Sequence, residues 1–299
     1  MITVLGSINM DLIAKVDRLP KSGETVGGHE FTTAAGGKGA NQALAAGRAG
    51  ATVHMCGAVG NDTFAAPSLA YLESAGVSLA RTRSVDGATG TALIMVDTHG
   101  ENIIAVVPGA NGAIDDSDAI AAVDAMNGGD YLLLQLEIPA IAIEAALRAA
   151  RTKGIISVLN IAPLTDDAKA LAQQADIVIA NETEFELLAG KPDLGAAQRE
   201  KTLMELHQVS GQTIIVTLGA EGAIAAHEGT LHRVRGLDIK PVDTVGAGDT
   251  FCGYLAAGLD KGAEFSSALR QAAVAGSLAC LKPGAQPAIP LAQDVAAAL

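Results

Sequence analysis

The residues with the most chemical potential lie in Pro241-Val-Asp-Thr-Val-Gly-Ala-Gly-Asp-Thr-Phe-Cys-Gly253. Gly246, Ala247 and Gly248 stand directly ahead of an apolar helical run that ends near Leu259. Backbone N–H groups at a helix N-terminus lack intrahelical partners and sit at the positive end of the macrodipole, so this turn is suited to a phosphate. Asp249, in the same first turn, has two readings. It is a common residue for capping a helix. A carboxylate beside a phosphate site would repel the phosphate, however, unless its task is to take a proton from an incoming nucleophile.

A second glycine-rich loop, Ala35-Gly-Gly-Lys-Gly-Ala-Asn-Gln42, also enters a helix of small residues. It reads either as a tight turn with close helix packing or as a binding loop whose amides and Asn41 recognise hydroxyl groups. Asn9 and Asp11 follow the first strand, at the edge where α/β sheets bind ligands. Neutral polar ligands such as sugars suit these groups. Only the fold can bring together residues spread over so much of the chain.

Strand-like runs supply that fold: Ile2–Gly6, Thr52–Gly57, Asp130–Leu134, Ile155–Asn160, Asp176–Ala180 and Thr213–Thr217. Amphipathic runs alternate with them at Asn41–Ala49, Ala140–Arg151, Asp166–Gln174 and Leu194–Gln208. The alternation predicts βαβ units and a doubly wound, mainly parallel α/β sheet. Leu12–Val16 with Glu24–Gly28, and Thr91–Asp97 with Ile103–Val107, break the pattern and are expected to form a small separate sheet. Gly222–Ala226 and Thr230–Arg235, joined by His227-Glu-Gly229, read as a hairpin. Ala292–Ala298 reads as a terminal helix. With no Pro/Ser-rich linker, residues 1–299 are expected to form one domain, with lid strands at about 12–28 and 91–107.

Composition narrows the partners. With 33 acidic against 20 basic side chains, the net charge of −13 argues against nucleic acid. Hydrophobic residues at 49% and charged residues at 18% fit a folded globular chain. The opening residues lack a basic n-region, and Asp11 interrupts their apolar stretch, so a cytoplasmic location is expected. The apolar segment Tyr131–Ile143 contains Gln135, Glu137 and Pro139 and is too short to span a membrane. Cys56, Cys252 and Cys280 form no C-x-x-C pair and read as buried, reduced thiols. Gly37-Lys-Gly39 lacks the hydroxyl of a P-loop, and neither glycine loop completes G-x-G-x-x-G, because Gln42 and Phe251 fall at the last positions. Zinc-protease and G-x-S-x-G patterns are absent.

Taken together, these residues resemble the ribokinase family, the sugar kinases of the phosphofructokinase B group. The resemblance spans nearly the whole chain. It rests on Gly6-Ser-Ile-Asn-Met-Asp11, Gly36-Gly-Lys-Gly-Ala-Asn-Gln-Ala43 and Asp243-Thr-Val-Gly-Ala-Gly-Asp-Thr-Phe251. Asn181-Glu-Thr-Glu184 is similar to the family's N-x-x-E element, and Thr217-Leu-Gly-Ala-Glu-Gly222 to its nucleotide-binding turn. Lys282-Pro-Gly-Ala-Gln-Pro287 resembles the loop that closes over the adenine and a monovalent-cation site.

The resemblance implies that Asp249 is the general base and that Gly246, Ala247 and Gly248 form the anion hole. It assigns Asn9, Asp11, Gly37, Lys38, Asn41 and Glu137 to the sugar, with Lys38 acting through its backbone. Glu137, taken alone, reads as a strand-end surface charge. Asn181, Thr217, Gly219, Gly222 and Gly248 would hold the nucleotide. Glu184 would organise water around magnesium, although the sequence equally allows a solvated helix residue. Potassium would lie against Asp243 and the carbonyls of Val245, Ala279, Lys282 and Gly284. Ala288 departs from the family here, having no side-chain oxygen where a serine is common. A second departure, Asn160-Ile-Ala-Pro163 in place of N-P-A-P, reads as structural.

The implied activity is ATP-dependent phosphorylation of D-ribose at its 5-hydroxyl, with Mg2+ and K+, by a homodimer joined through the lid. Other readings are a kinase for another sugar or a nucleoside, and a non-catalytic sugar or nucleotide sensor. A dehydrogenase is a further alternative.

Overall fold

The computed structural model describes residues 1–299. The first half runs β1 (Ile2–Leu5), β2 (Asn9–Val16), β3 (Gly28–Gly36), α1 (Lys38–Arg48), β4 (Val53–Val59), α2 (Ala65–Ser74), β5 (Ser78–Ser84), β6 (Gly90–Val96), β7 (Asn102–Val107), α3 (Asp116–Asp124), β8 (Tyr131–Leu134) and α4 (Ala140–Lys153). The second half runs β9 (Ile156–Asn160), α5 (Ala168–Ala172), β10 (Ile177–Asn181), α6 (Glu182–Ala189), α7 (Ala196–Ser210), β11 (Thr213–Thr217), β12 (Ala223–His227) and β13 (Thr230–Val234). Helices α8 (Ala247–Asp260), α9 (Phe265–Ala279), α10 (Ala285–Ala288) and α11 (Ala292–Ala298) complete the chain.

Nine strands form one sheet in the order β13-β12-β11-β10-β9-β8-β1-β4-β5. All pairs are parallel except those made by β12 and β13. Successive side chains of a strand point to opposite faces, and the core divides accordingly. Ile177 and Ile179 of β10 pack with α1, α8 and α9, whereas Val178 and Ala180 pack with α3, α4 and α5 on the other face. The parallel connections leave the loops after β1, β8, β9, β10 and β11 along one edge, where such sheets bind ligands.

With aromatics at only 3%, close approach of small residues replaces bulk in the packing of α1 against α8. A Cβ at Gly253 would lie 2.5 Å from the Gln42 carbonyl oxygen and 2.5 Å from Ala45 Cβ. Only a residue without a side chain permits this separation.

The small sheet has the order β3-β2-β6-β7. Its second strand is Gly28–Gly36 rather than the expected Glu24–Gly28. Glu24 instead belongs to a turn, accepting from Lys21 N–H at 2.9 Å and bonded to Arg18 at 2.5 Å. β5 escapes a pattern-based reading because Ser78-Leu-Ala-Arg-Thr-Arg-Ser84 is a partly exposed edge strand with little apolar alternation. The helix expected at Asp166–Gln174 contracts to Ala168–Ala172. The hairpin and the terminal helix appear where expected. Cys56 and Cys252 are buried, but Cys280 is half-buried.

Candidate active site

Gly246 caps α8 in the left-handed region, with φ 77° and no side-chain cap. Its carbonyl accepts from both the N–H and the hydroxyl of Thr250, each at 2.8 Å, which fixes the first turn. Ala247 N–H makes a 3.3 Å turn bond to Thr244 O. The amides of Gly246, Gly248 and Asp249 find no acceptor within the chain and remain available to an anion. The cap reading of Asp249 is overturned, because its carboxylate reaches across to α1. Oδ2 accepts from Asn41 Nδ2 at 2.9 Å and Oδ1 from Gln42 Nε2 at 3.1 Å.

The N-terminus of α1 is capped by a distant carboxylate. Gly37, at φ 89°, turns the chain into the helix. Glu137, three residues beyond the end of β8, accepts Lys38 N–H at 3.0 Å and the Ser7 hydroxyl at 2.5 Å through Oε2. Gly39 N–H in turn donates to Ser7 Oγ at 3.2 Å. Glu137 is therefore not a free surface charge. Its second oxygen makes no bond to the protein.

Asp11 stands near the same acids. Burial first, then the charges of Glu137 and Asp249, push its pKa from 3.8 up to about 7. The Lys38 ammonium is affected in the opposite sense. The Asp249 carboxylate above all, with Glu137 and Glu184 behind it, raises its pKa despite burial. Two strand positions before Asp11, Asn9 is buried and accepts from Asn111 Nδ2 at 2.6 Å. Asn111 also pairs with both Ile8 N–H at 2.9 Å and Ile8 O at 3.2 Å. The structure thus brings Asp11, Lys38, Asn41, Glu137 and Asp249 into one polar cluster, with Asn9 and Gly37 packed against each other beside it.

Beyond the α8 N-terminus opens a cleft of about 1030 Å³. Asn181, Thr217, Gly219, Gly222 and Gly248 all line it, with Thr244, Phe251, Ser277 and the segment Arg235–Ile239. Cys280 lines it too, which accounts for its partial exposure. Asn181-Glu-Thr-Glu184 is a capping box: Asn181 Oδ1 accepts Glu184 N–H, and Glu184 Oε2 accepts Asn181 N–H, each at 2.8 Å. Glu184 is only 7% exposed, against the solvated-helix reading, and burial raises its pKa.

Asp243 joins the two loops assigned to a monovalent cation. Oδ1 accepts Val245 N–H at 3.0 Å and Oδ2 accepts Gly284 N–H at 2.8 Å. Ala279 ends α9 and Ala288 ends α10, one on each side of this loop. One carboxylate with neighbouring backbone carbonyls is a hard, oxygen-only donor set, suited to a group 1 cation. No group of three His, Cys, Asp or Glu residues is arranged to hold a metal ion. Magnesium commonly keeps several waters and needs only one or two carboxylates beside the substrate's phosphates, so Glu184 with its unbonded Oε1 fits that ion.

Sequence reasoning missed four polar residues here. Asn111 carries no motif signal, and Gln135 counts only as an interruption of an apolar run. Gln42 reads as a failed glycine position. Asn160 was assigned to a structural loop. All four are buried and hydrogen-bonded to this cluster or to one another.

Architecture and chemistry together define an α/β phosphotransferase acting on a small polar alcohol. Residues 1–292 match the model of the pfkB family of carbohydrate kinases. The chain is 34% identical over 294 residues to the ribokinase of Haemophilus influenzae, covering 98% of this chain and 96% of that protein. It is 32% identical over 291 residues to the deoxyribokinase of Salmonella typhi, covering 97% and 95%. The solved structure of Arabidopsis thaliana ribokinase complexed with ribose and ATP has a TM-score of 0.88 at 30% identity, covering 99% of this chain and 97% of that one. This chain belongs to the pfkB family of carbohydrate kinases and is a sugar kinase, transferring phosphate to an alcohol. No helix is long and apolar enough to cross a membrane.

Proposed function

We propose that the protein transfers the γ-phosphoryl group of ATP to the 5-hydroxyl of D-ribose. The observation that carries this reading is the Asp249 carboxylate, held by Asn41 and Gln42 on one side and adjoining the free amides of the α8 N-terminus on the other. A hydroxyl seated against Asp249 would lose its proton to the carboxylate as its oxygen attacks the phosphorus. A positioned base of this kind contributes roughly 10²–10⁴-fold. The amides of Gly246, Gly248 and Asp249, with Ala247 at their centre, would meet the negative charge of the transferring group, and each such donor is worth roughly 2.7–4 kcal/mol.

Asn9, Asp11, Asn41 and the free Oε1 of Glu137 would take the other sugar hydroxyls, and Lys38 would support the loop through the amide bonded to Glu137. Asn181, Thr217, Gly219 and Gly222 would border the nucleotide in the large cleft. Bound magnesium would neutralise phosphate charge, with Glu184 holding its water shell. Potassium would rest against Asp243 and the carbonyls of Val245, Ala279, Lys282 and Gly284; Ala288 adds no side-chain ligand.

The small sheet would act as a lid that excludes water, the competing acceptor. Its exposed Phe31, Leu93, Ile103 and Val107, which the strand register places on one side, form an apolar face suited to the same sheet of a second copy. A homodimer in the cytoplasm, with no nucleic acid or membrane partner, is the assembly proposed. The similarity to a deoxyribokinase favours one second reading, phosphorylation of 2-deoxyribose, which differs in a single hydroxyl.

The test is a coupled assay with ATP and magnesium over ribose, 2-deoxyribose, other sugars and nucleosides, with and without potassium. Ribose is expected to give the highest kcat/KM. A different best substrate would overturn the assignment, and sugar binding without ADP formation would indicate a sensor.

A further inference from the structure

Deletion of the Asp249 carboxylate's surroundings would remove more than the sugar pocket, because a buried chain of amides ends on it. Gln42 is 1% exposed and uses both N–H bonds of its amide, donating to Asp249 Oδ1 at 3.1 Å and to Asn160 Oδ1 at 3.2 Å. Gln42 Oε1 accepts from Gln135 Nε2 at 2.7 Å. The amide cannot be reversed. Reversal would set its oxygen against Asp249 and Asn160 oxygens, and its nitrogen against the Gln135 nitrogen.

The anchors lie on the sheet. Gln135 follows β8 and is fully buried, and Asn160 ends β9 with its Nδ2 on Ile179 O at 3.3 Å. A Cβ at Gly6, at the end of β1, would sit 2.1 Å from Gln135 Oε1, so that glycine makes the room the amide occupies. Gln135 Oε1 has no hydrogen-bond partner within the protein, so the bond from its Nε2 to Gln42 is the protein contact that orients this amide.

We propose that Gln42, oriented by Gln135 and Asn160, is a positioning residue that fixes the plane of the Asp249 carboxylate for proton abstraction. This rests on the reading of Asp249 as the general base. Asn41 and Gln42 hold one carboxylate oxygen each, so loss of either bond frees the group to rotate. Gln42 touches neither sugar nor nucleotide in this scheme, and its effect passes through Asp249 alone.

Gln42→Met keeps length and burial while removing the donor, and Gln135→Leu removes the brace. The experiment measures kcat, sugar KM and the pH profile of kcat for both variants, their combination and Asp249→Asn, together with Tm. Misplacement of a reacting group by about 1 Å costs about 10²-fold. Gln42→Met is expected to lower kcat roughly 10- to 100-fold, with sugar KM changed less than about threefold. Its acid limb should move to higher pH, because a donor that favours the ionised carboxylate is gone. Gln135→Leu should lower kcat in the same direction, and the pair should be no slower than Gln42→Met, the non-additivity of residues acting in series.

Unchanged kcat in a folded Gln42→Met protein, while Asp249→Asn is inactive, would overturn this inference alone. Fully additive losses in the pair, or losses that follow Tm with no shift of the acid limb, would do the same. Turnover retained by Asp249→Asn would instead overturn the reading of the base, and this inference with it. If Gln42→Met fails to fold, the Gln135→Leu acid limb decides: a shift supports the proposal and its absence rejects it.

Discussion

Glu137 Oε2 accepts the backbone N–H of Lys38 at 3.0 Å, so the helix that carries Asn41 and Gln42 is capped by a carboxylate from beyond β8. An anion at a helix N-terminus is worth about 0.3–1 kcal/mol when exposed and up to about 2 when partly buried. Glu137→Gln removes the charge and keeps an acceptor for Ser7. The expected result is a Tm lower by a few degrees and a sugar KM at least about tenfold higher, since the free Oε1 would face the sugar. Calorimetry and steady-state kinetics check the two effects separately.

Asp11 should give sugar affinity a pH dependence. Its pKa of about 7 means that the pocket gains a strong acceptor only as pH rises through neutrality. Sugar KM is expected to rise about tenfold from pH 8 to pH 6, and Asp11→Asn should flatten that change. Stability follows the opposite sign. The folded pKa lies above the ordinary 3.8, so the folded state holds the proton more tightly, and this group's contribution falls as pH rises from 3.8 to about 7. Asp11→Asn should therefore raise Tm at pH 8, with the gain fading toward pH 4.

Asn111→Ala would strip partners from Ile8 N–H, Ile8 O and Asn9 Oδ1 at once. Buried groups left unpaired cost roughly 1–3 kcal/mol. We expect a lower Tm and a several-fold higher sugar KM with kcat little changed; denaturant titration alongside kinetics measures both. A kcat loss larger than the KM effect would place Asn111 in a different role.

Asn111 also illustrates where sequence reading stops. The loops at Gly36–Gly39 and Gly246–Gly248 were legible because local chain chemistry alone makes a helix N-terminus ready for a ligand. Strands such as Ile177–Asn181 were legible because branched runs have few alternatives. Glu184 was ambiguous until the fold buried it, and its capping box uses the same spacing that a ligand motif would. Gln42, Gln135 and Asn160 gain meaning only from one another, across three elements far apart in the chain. β3 was displaced in the sequence reading because most of its residues are exposed and show no period-2 apolar signal.

Gly246 and Gly248 should respond differently to alanine. At φ 77°, Gly246→Ala costs about 1–2 kcal/mol, and its Cβ would lie 2.9 Å from Ala285 Cβ. It should lower both Tm and kcat. A Cβ at Gly248 meets nothing within 4 Å, so Gly248→Ala should keep Tm while raising nucleotide KM or lowering kcat at least about tenfold. Equal Tm losses in the two variants would contradict the ligand role of Gly248.

The apolar face of the small sheet predicts association. Ile103 and Leu93, on the same side of the sheet, are about half exposed, at 45% and 48%. Ile103→Asp with Leu93→Asp is expected to convert a dimer into monomers in sedimentation experiments and to weaken sugar binding. A wild-type chain that sediments as a monomer at micromolar concentration would remove the dimer proposal.

Gly253 acts as a spacer gauge. The van der Waals contact of α8 on α1 at this residue sets how far Asp249 stands from Asn41 and Gln42, one helical turn away. Replacing an interior helical glycine with alanine ordinarily gains about 1 kcal/mol in helix propensity, which makes it a routine choice in thermostability engineering. At this position the added methyl would wedge the two helices apart and open the carboxylate's hydrogen bonds. The tolerance of the reaction centre is thus machined into a helix crossing, outside the loops that would be inspected first.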